Sequence, residues 1–318
     1  MRIDIEEAAR ELLNHDNILL LAHASPDGDT LGSCYALCRT LHLLGKKARV
    51  LCCDRVPACY SFVPDGIEVQ EFPEDYVVAV DVAAISLLGD DDFVAQWQDK
   101  IALCIDHHGT NTDYAPLVCV EPESAACAET ILRIIRLMDV EIDKDIAECI
   151  YVGLATDTGC FRYSNTTSRT MRMAADMMDY NIDIATINRI MFETRTKSYN
   201  SLETLALSGM KITEDGKIAV ITVTKDMFEQ SGAQEDEFHP IKALPRQIEG
   251  VYAGISLREK KEGEFRVSVR TNYGVNASEI CAIFGGGGHP GAAGCTVFGT
   301  AEECRKKVVE AAYNIINR

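Results

Sequence analysis

The sequence predicts an α/β protein of two domains, a parallel sheet with helices on both faces followed by a smaller α/β domain. Three observations predict it. Short apolar runs alternate with helical stretches through the first half of the chain, the pattern of parallel strands joined by crossover helices. Acidic and histidine residues gather where those runs end, the place where open parallel sheets bind ligands. Near residues 190–200 the pattern changes to strands with hairpin spacing. The chain has 318 residues, 47% of them apolar, enough for two cores.

The elements follow in order. The opening MRIDIEEAARELLNHD has helical spacing and is acidic, without the basic start and apolar stretch of a signal peptide. NILLLAH (17–23) is a short apolar run and predicts a buried strand. TLGSCYALCRTLHLLG (30–45) has helical spacing and stops at Gly45. ARVLCC (48–53), YVVAVDV (76–82) and IALCIDHH (101–108) predict three further strands, the last two ending in polar groups. Residues 123–139, 143–159 and 168–183 predict helices. Residues 191–209 begin polar and predict a linker, so the domains are 1–190 and 210–318. In the second domain KIAVITVT (217–224) alternates after the turn EDG. YAGISLRE (252–259) and FRVSVRT (265–271) predict a hairpin, and residues 301–318 a terminal helix.

Composition narrows the function. The formal net charge is −18, from 49 acidic and 31 basic residues, which argues against a long-duplex nucleic-acid binder held by Lys and Arg on phosphates. Thirteen cysteines without paired spacing predict reduced, buried thiols of a cytoplasmic protein. No apolar run reaches the roughly 18 residues of a membrane span.

His23 with Asp27 and Asp29, then Asp81, then His107 follow separate apolar runs whose ends converge in a parallel sheet, and Asp157 on the 143–159 helix completes six candidate ligands. Such imidazole and carboxylate sets suit manganese, zinc, iron or magnesium, and a pair of ions can clamp the oxygens of a phosphoryl transfer. SPDGD alone is an ordinary turn, and adjacent histidines occur by chance. The convergence is the argument, because like charges that close repel unless cations or hydrogen bonds hold them.

HASPDGDTLGS (23–33), VAVDVA (78–83), CIDHHGTN (104–111) and YVGLATDTGCFRYSNTT (151–167) resemble the four motifs of the DHH phosphoesterase superfamily, in order. FGGGGHPGAAG (284–294) resembles the glycine-rich motif of its associated C-terminal domain. The resemblance spans roughly the whole chain. It is nearest to the stand-alone nanoRNase and phosphoadenosine-phosphate phosphatase type. It implies a catalytic first domain and a substrate-binding second one. It further implies that His23 and Asp27 hold one manganese ion, that Asp29, His107 and Asp157 hold a second, and that Asp81 bridges them. Magnesium, cobalt or iron are the alternative ions. His108 would face the scissile phosphate as donor or acid, with Asp106 orienting the histidines.

The glycine run permits positive φ and close backbone approach, and successive N–H groups can cradle an anion. In the resembled family this loop and its histidine hold the nucleotide that is not cleaved, which carries over to Gly286, Gly287, Gly288 and His289. Arg270, on the strand FRVSVRT, would meet a phosphate. Ser33, Arg162, Arg246 and Arg258 are weaker candidates.

The expected enzyme is a manganese-dependent phosphoesterase that hydrolyses short oligoribonucleotides to mononucleotides and removes the 3′-phosphate of 3′-phosphoadenosine 5′-phosphate. A phosphodiesterase for linear or cyclic di-adenylate is the close alternative. A non-catalytic nucleotide sensor is the alternative of another class. The expected partners are short oligoribonucleotides and small phosphorylated nucleotides, with no long duplex and no membrane; a homodimer is compatible with this.

Overall fold

The computed structural model describes residues 1–235 and 237–317 and divides into two compact units, Met1–Thr194 and Arg195–Arg318. The first unit holds strands β1 (Ile18–Leu21), β2 (Ala48–Leu51), β3 (Tyr76–Val80), β4 (Ile101–Asp106) and β5 (Leu117–Val120). They pair in the order β2-β1-β3-β4-β5, all parallel. Around them lie α1 (Ile5–Asn14), α2 (Gly28–Leu43), α3 (Asp91–Trp97), α4 (Cys127–Leu137), α5 (Lys144–Asp157), α6 (Ser168–Met178) and α7 (Ile184–Asn188).

The sheet is apolar on both faces. Ile18, Leu20, Val78, Val80, Leu103 and Ile105 join one core with α2, α4 and α5. Leu19, Leu21, Val77, Ala79 and Cys104 join another with Trp97 of α3. Strands buried on both sides read as continuous apolar runs, which is why the sequence shows them without alternation. In this strand order the connections diverge between β1 and β3, so a crevice opens at their carboxyl ends.

Helices α2 and α5 approach closely because small residues line their contact. A Cβ on Gly32 would lie 2.3 Å from the Cys149 carbonyl oxygen. That approach brings Asp29, in the first turn of α2, near Asp157 at the end of α5.

The second unit holds β6 (Lys211–Ile212), β7 (Ile218–Val223), β8 (Ala253–Lys261), β9 (Glu264–Thr271), β10 (Gly287–His289) and β11 (Ala292–Phe298). The order is β10-β11-β9-β8-β7-β6, with β7 and β8 parallel and the other pairs antiparallel. Its helices are α8 (Lys197–Ser208), α9 (Lys225–Ser231), α10 (Phe238–Ile241), α11 (Ala277–Ala282) and α12 (Ala301–Ile316). One sheet face packs Phe265, Val267 and Val269 with Ile280 of α11 and Val308 of α12.

Three expectations need correction. Residues 191–209 are not a linker: they contain α8, whose Tyr199, Leu202 and Ala206 are buried with Ile221, Val223 and Phe238. Their helical spacing was masked by the polar start of the segment. The sequence pattern also missed α3 and β5, a two-turn helix and a four-residue strand too short to give a period. The terminal helix ends at Ile316, and Arg318 lies outside the described residues. Among the described residues no helix is long and apolar enough to cross a membrane. Among the described residues none of the thirteen cysteines forms a disulfide.

Candidate metal centre

Six predicted donors converge beyond the carboxyl ends of β1, β3 and β4. His23 follows β1. Its Nδ1 lies 2.7 Å from the Ala24 carbonyl oxygen. A carbonyl only accepts, so Nδ1 carries a proton and Nε2 is the ring nitrogen left to face the carboxylates. That Nε2 is 3.7 Å from Asp27 Oδ1 and 3.7 Å from Asp81 Oδ2. His107 repeats the device. Its Nδ1 donates to the Ser124 carbonyl at 3.1 Å, and its Nε2 faces Asp157 Oδ2 at 3.2 Å, Asp81 Oδ1 at 3.6 Å and Asp29 Oδ2 at 3.7 Å.

The carboxylates are placed by backbone. Asp27 is the N-cap of α2, its Oδ1 accepting from the N–H groups of Asp29 and Thr30. Asp29 is fully buried; its oxygens accept from the N–H groups of Cys127 and Ala128 at 2.6 and 2.9 Å, at the start of α4. Asp81 ends the β3 turn at φ +61, a left-handed conformation that costs a non-glycine residue energy. Asp157 is the last residue of α5, where the helix dipole disfavours a carboxylate.

Asp106 ends β4 and is fully buried. Its Oδ1 accepts from the backbone N–H groups of His107 and His108 and lies 2.8 Å from His108 Nδ1. Its Oδ2 accepts from Asn111 at 2.6 Å. Burial raises the Asp106 carboxyl, but these donors hold it below the usual range.

Two groups of donors emerge: His23, Asp27 and Asp81, and Asp29, His107 and Asp157, the ligand atoms of each lying within 4.8 Å of one another. A third, Asp81, His107 and His108, shares members with both. Burial, then neighbouring carboxylates, pushes Asp29 and Asp81 well above the usual carboxylate range. Burial lowers His107, but Asp157 and Asp29 outweigh burial and hold it at about 9. The buried Asp81 Oδ1 and His107 Nε2 have no hydrogen-bond partner among the described residues. Orphaned buried atoms of this kind are costly, and a cation between them satisfies both at once. The residues present therefore fit divalent ions.

In the second unit, Arg270 of β9 pairs in register with Ala292 of β11, and Ala292 with His289 of β10. Residues in register share a face, so Arg270 and His289 stand on the same side, two strand spacings or roughly 10 Å apart. Small Ala292 lies between them. Burial, then the charge of Arg246, disfavours the Arg270 cation, and Arg270 does the same to Lys242 after burial. The glycine run is not a free loop. Gly287–His289 form an edge strand, and a Cβ on Gly288 would lie 2.6 Å from the Ala292 carbonyl oxygen.

Residues 17–154 match the DHH family, N-terminal domain, and residues 215–318 match the DHHA1 domain. A bifunctional oligoribonuclease and PAP phosphatase NrnA of Thermus thermophilus is 33% identical, covering 95% of this chain and 90% of its own. The chain belongs to the DHH phosphoesterase superfamily. It is a hydrolytic, metal-dependent member of it, with the DHH-associated C-terminal domain. The NrnA of Bacillus subtilis is 24% identical over 94% of this chain and 95% of its own. An exopolyphosphatase-related protein from Bacteroides fragilis has the same DHH architecture, with TM-score 0.87 and 26% identity, covering 98% of this chain and 95% of its own.

The weaker candidates divide. Ser33 is buried and its hydroxyl lies 3.4 Å from Asp29 Oδ1. Arg162 is exposed, its Nε donating to the Gly159 carbonyl. Ser124, Glu129 and Arg169 escaped the sequence. Buried Glu129 pairs with Arg169 at 2.9 Å, Arg169 also donates to the Glu123 carbonyl, and the next carbonyl orients His107. Backbone acceptors leave no sequence signal. A buried Glu in the apolar helix ESAACAETIL was the one available clue.

Proposed function

We propose that this protein hydrolyses short oligoribonucleotides to mononucleotides and removes the 3′-phosphate of 3′-phosphoadenosine 5′-phosphate, with a pair of manganese ions as cofactor. His23 and Asp27 would hold one ion and Asp29, His107 and Asp157 the other, with Asp81 shared between them. The ions supply Lewis acidity toward a phosphate and lower the pKa of bound water. His108 donates its proton to the departing oxygen, and Asp106 fixes the His108 ring through Nδ1, leaving Nε2 for substrate. Arg270 and His289, with the backbone of Gly286, Gly287 and Gly288, bind the nucleotide that is not attacked.

The observation that carries this is the complete donor set around Asp81, in a chain similar over 95% of its length to a protein named for both activities. No donor is substituted, which speaks against a sensor with a vestigial site. Thirteen cysteines with no disulfide among the described residues support a cytoplasmic setting. The test is a substrate panel: di- to pentanucleotides, a long single strand, the bisphosphonucleoside, linear di-adenylate and pyrophosphate, each with manganese and with magnesium. Turnover of pyrophosphate or long strands in preference to dinucleotides overturns the assignment.

A further inference from the structure

A groove of about 460 Å³ opens on the face of the second sheet that also bears Arg270. Arg258, Lys260 and Arg266 line it, with Ser268 and Thr296 on its floor and Glu264 its one acidic lining residue among those described. In a chain of net charge −18 that balance is unusual.

The strand register makes it more so. Arg258 of β8 stands directly opposite Arg266 of β9. Like charges in facing positions destabilise an antiparallel pair, so the arrangement favours an anion between or beside them. Arg266 is exposed and forms no ion pair among the described residues. Arg258 is held in place, its guanidinium 5.2 and 5.8 Å from the ring centroids of Phe228 and Phe238, and its buried Nε has no hydrogen-bond partner among the described residues. A carboxylate already sits on these cations. Glu235, its side chain 73% exposed, reaches Arg258 Nη2 at 2.5 Å and Lys260 Nζ at 3.1 Å. It occupies positions suited to phosphate oxygens, and its exposure makes it displaceable.

We propose that this groove binds backbone phosphates of the oligonucleotide beyond the nucleotide held at Arg270. This rests on the function proposed above. Arg266, Ser268 and Arg270 alternate along β9 and so share a face. Arg270 lies four residue steps along the strand from Arg266, roughly 13 Å at the usual rise, a span that a dinucleotide anchored at Arg270 has little reason to enter and a longer strand does. The groove thus favours tri- to pentanucleotides by contacts a dinucleotide does not make. The ligand class is a short single strand with several phosphodiesters.

The test measures binding without catalysis, then turnover. Labelled di- and pentanucleotides are titrated by anisotropy in chelator, against wild type, Arg266→Gln and Glu235→Gln. Wild type is expected to bind the pentanucleotide more tightly. Arg266→Gln should weaken it about tenfold and reduce the salt slope by about 0.7, the share of one phosphate contact on a single strand. Glu235→Gln should strengthen it severalfold by removing the competing carboxylate. Neither variant should alter dinucleotide binding or dinucleotide kcat/KM. Equal effects on both lengths, or no effect on either, overturn the proposal. Weaker pentanucleotide binding in Glu235→Gln also overturns it. Displacement by pyrophosphate as readily as by pentanucleotide would assign the groove to small free anions and reject the strand. If wild type binds the strands in chelator with this pattern yet hydrolyses none with metal, the proposed activity fails and the groove stands.

Discussion

His108 Nδ1 lies 2.8 Å from Asp106 Oδ1, and this contact gives two adjacent histidines different chemistry. His107 commits Nδ1 to the Ser124 carbonyl and turns Nε2 to the carboxylates. His108 commits Nδ1 to Asp106, and its side chain stays 45% exposed. His108→Ala is therefore expected to keep its bound metal while turnover falls roughly 10²–10⁴-fold, the range for a lost acid or base. Metal analysis beside kinetics checks this. Loss of metal together with activity would make His108 a ligand, as its place in the third donor group allows.

Asp81→Asn separates charge from backbone. Asparagine tolerates positive φ, so the turn at φ +61 should survive. Removing a buried carboxylate that Asp29 and Asp27 repel should make the metal-free protein melt higher. The rise in melting temperature expected with manganese should disappear; for wild type it would correspond to about 2.7 kcal/mol at a hundredfold excess over Kd. Hydrolysis should be abolished. Normal turnover with full metal content would remove Asp81 from the bridge.

The pH dependence follows from the same charges. His107 sits at about 9 in the folded protein against an ordinary 6.5. Its proton contributes stability that is complete below pH 6.5 and lost as pH rises toward about 9. Asp29 and Asp81, raised above the ordinary carboxylate value, act in the same direction from lower pH. The metal-free protein should thus lose stability across this window. Manganese must displace these protons, so its stabilisation should grow across it. Melting in chelator and in manganese between pH 6.5 and 9 reads both trends. A metal-free protein that gains stability with pH would contradict them.

Gly32→Ala tests the packing that brings two proposed ligands together. The added Cβ would lie 2.3 Å from the Cys149 carbonyl, a backbone atom that has no rotamer to escape into. Overpacking of this kind costs typically 1–3 kcal/mol. Because α2 carries Asp29 and α5 carries Asp157, manganese affinity should fall with stability. A stable variant with unchanged metal affinity would show that the helices can part without disturbing the donors.

How much of this was legible in the sequence depended on where the signal lies. β1, β3 and β4 announced themselves because both faces are buried, giving runs such as NILLLAH. The donors were legible because polar groups at strand ends break those runs. The roles of Asp27 as helix cap and Asp29 as acceptor at the start of α4 were not, since both depend on partners fixed only by the fold. The same holds for Ser124, which acts through its carbonyl. α8 was hidden because its apolar positions are few and its first turn is polar. The glycine run suggested a loop. Its pairing with β11 is decided by the register Gly287 to Gly294, which composition does not reveal.

The last prediction concerns the row formed by Arg270, Ala292 and His289. The proposal is that Arg270 and His289 bind the nucleotide that is not attacked. Arg270 has like charges beside it in Arg246 and Lys242, an environment that favours an anion. Losing a charge-assisted contact to phosphate costs roughly 1.5–3 kcal/mol. Arg270→Ala and His289→Ala should therefore lower dinucleotide kcat/KM by about tenfold to a hundredfold, at 1.4 kcal/mol per factor of ten. Neither residue is a proposed metal ligand, so bound manganese should be unchanged. A small aryl phosphodiester such as bis-p-nitrophenyl phosphate carries no second nucleotide, and its slow hydrolysis should be almost unaltered. Comparing both substrates in both variants decides the matter. If the two substrates suffer alike, Arg270 and His289 support folding or the metal centre, and the second unit has no part in recognising the far nucleotide.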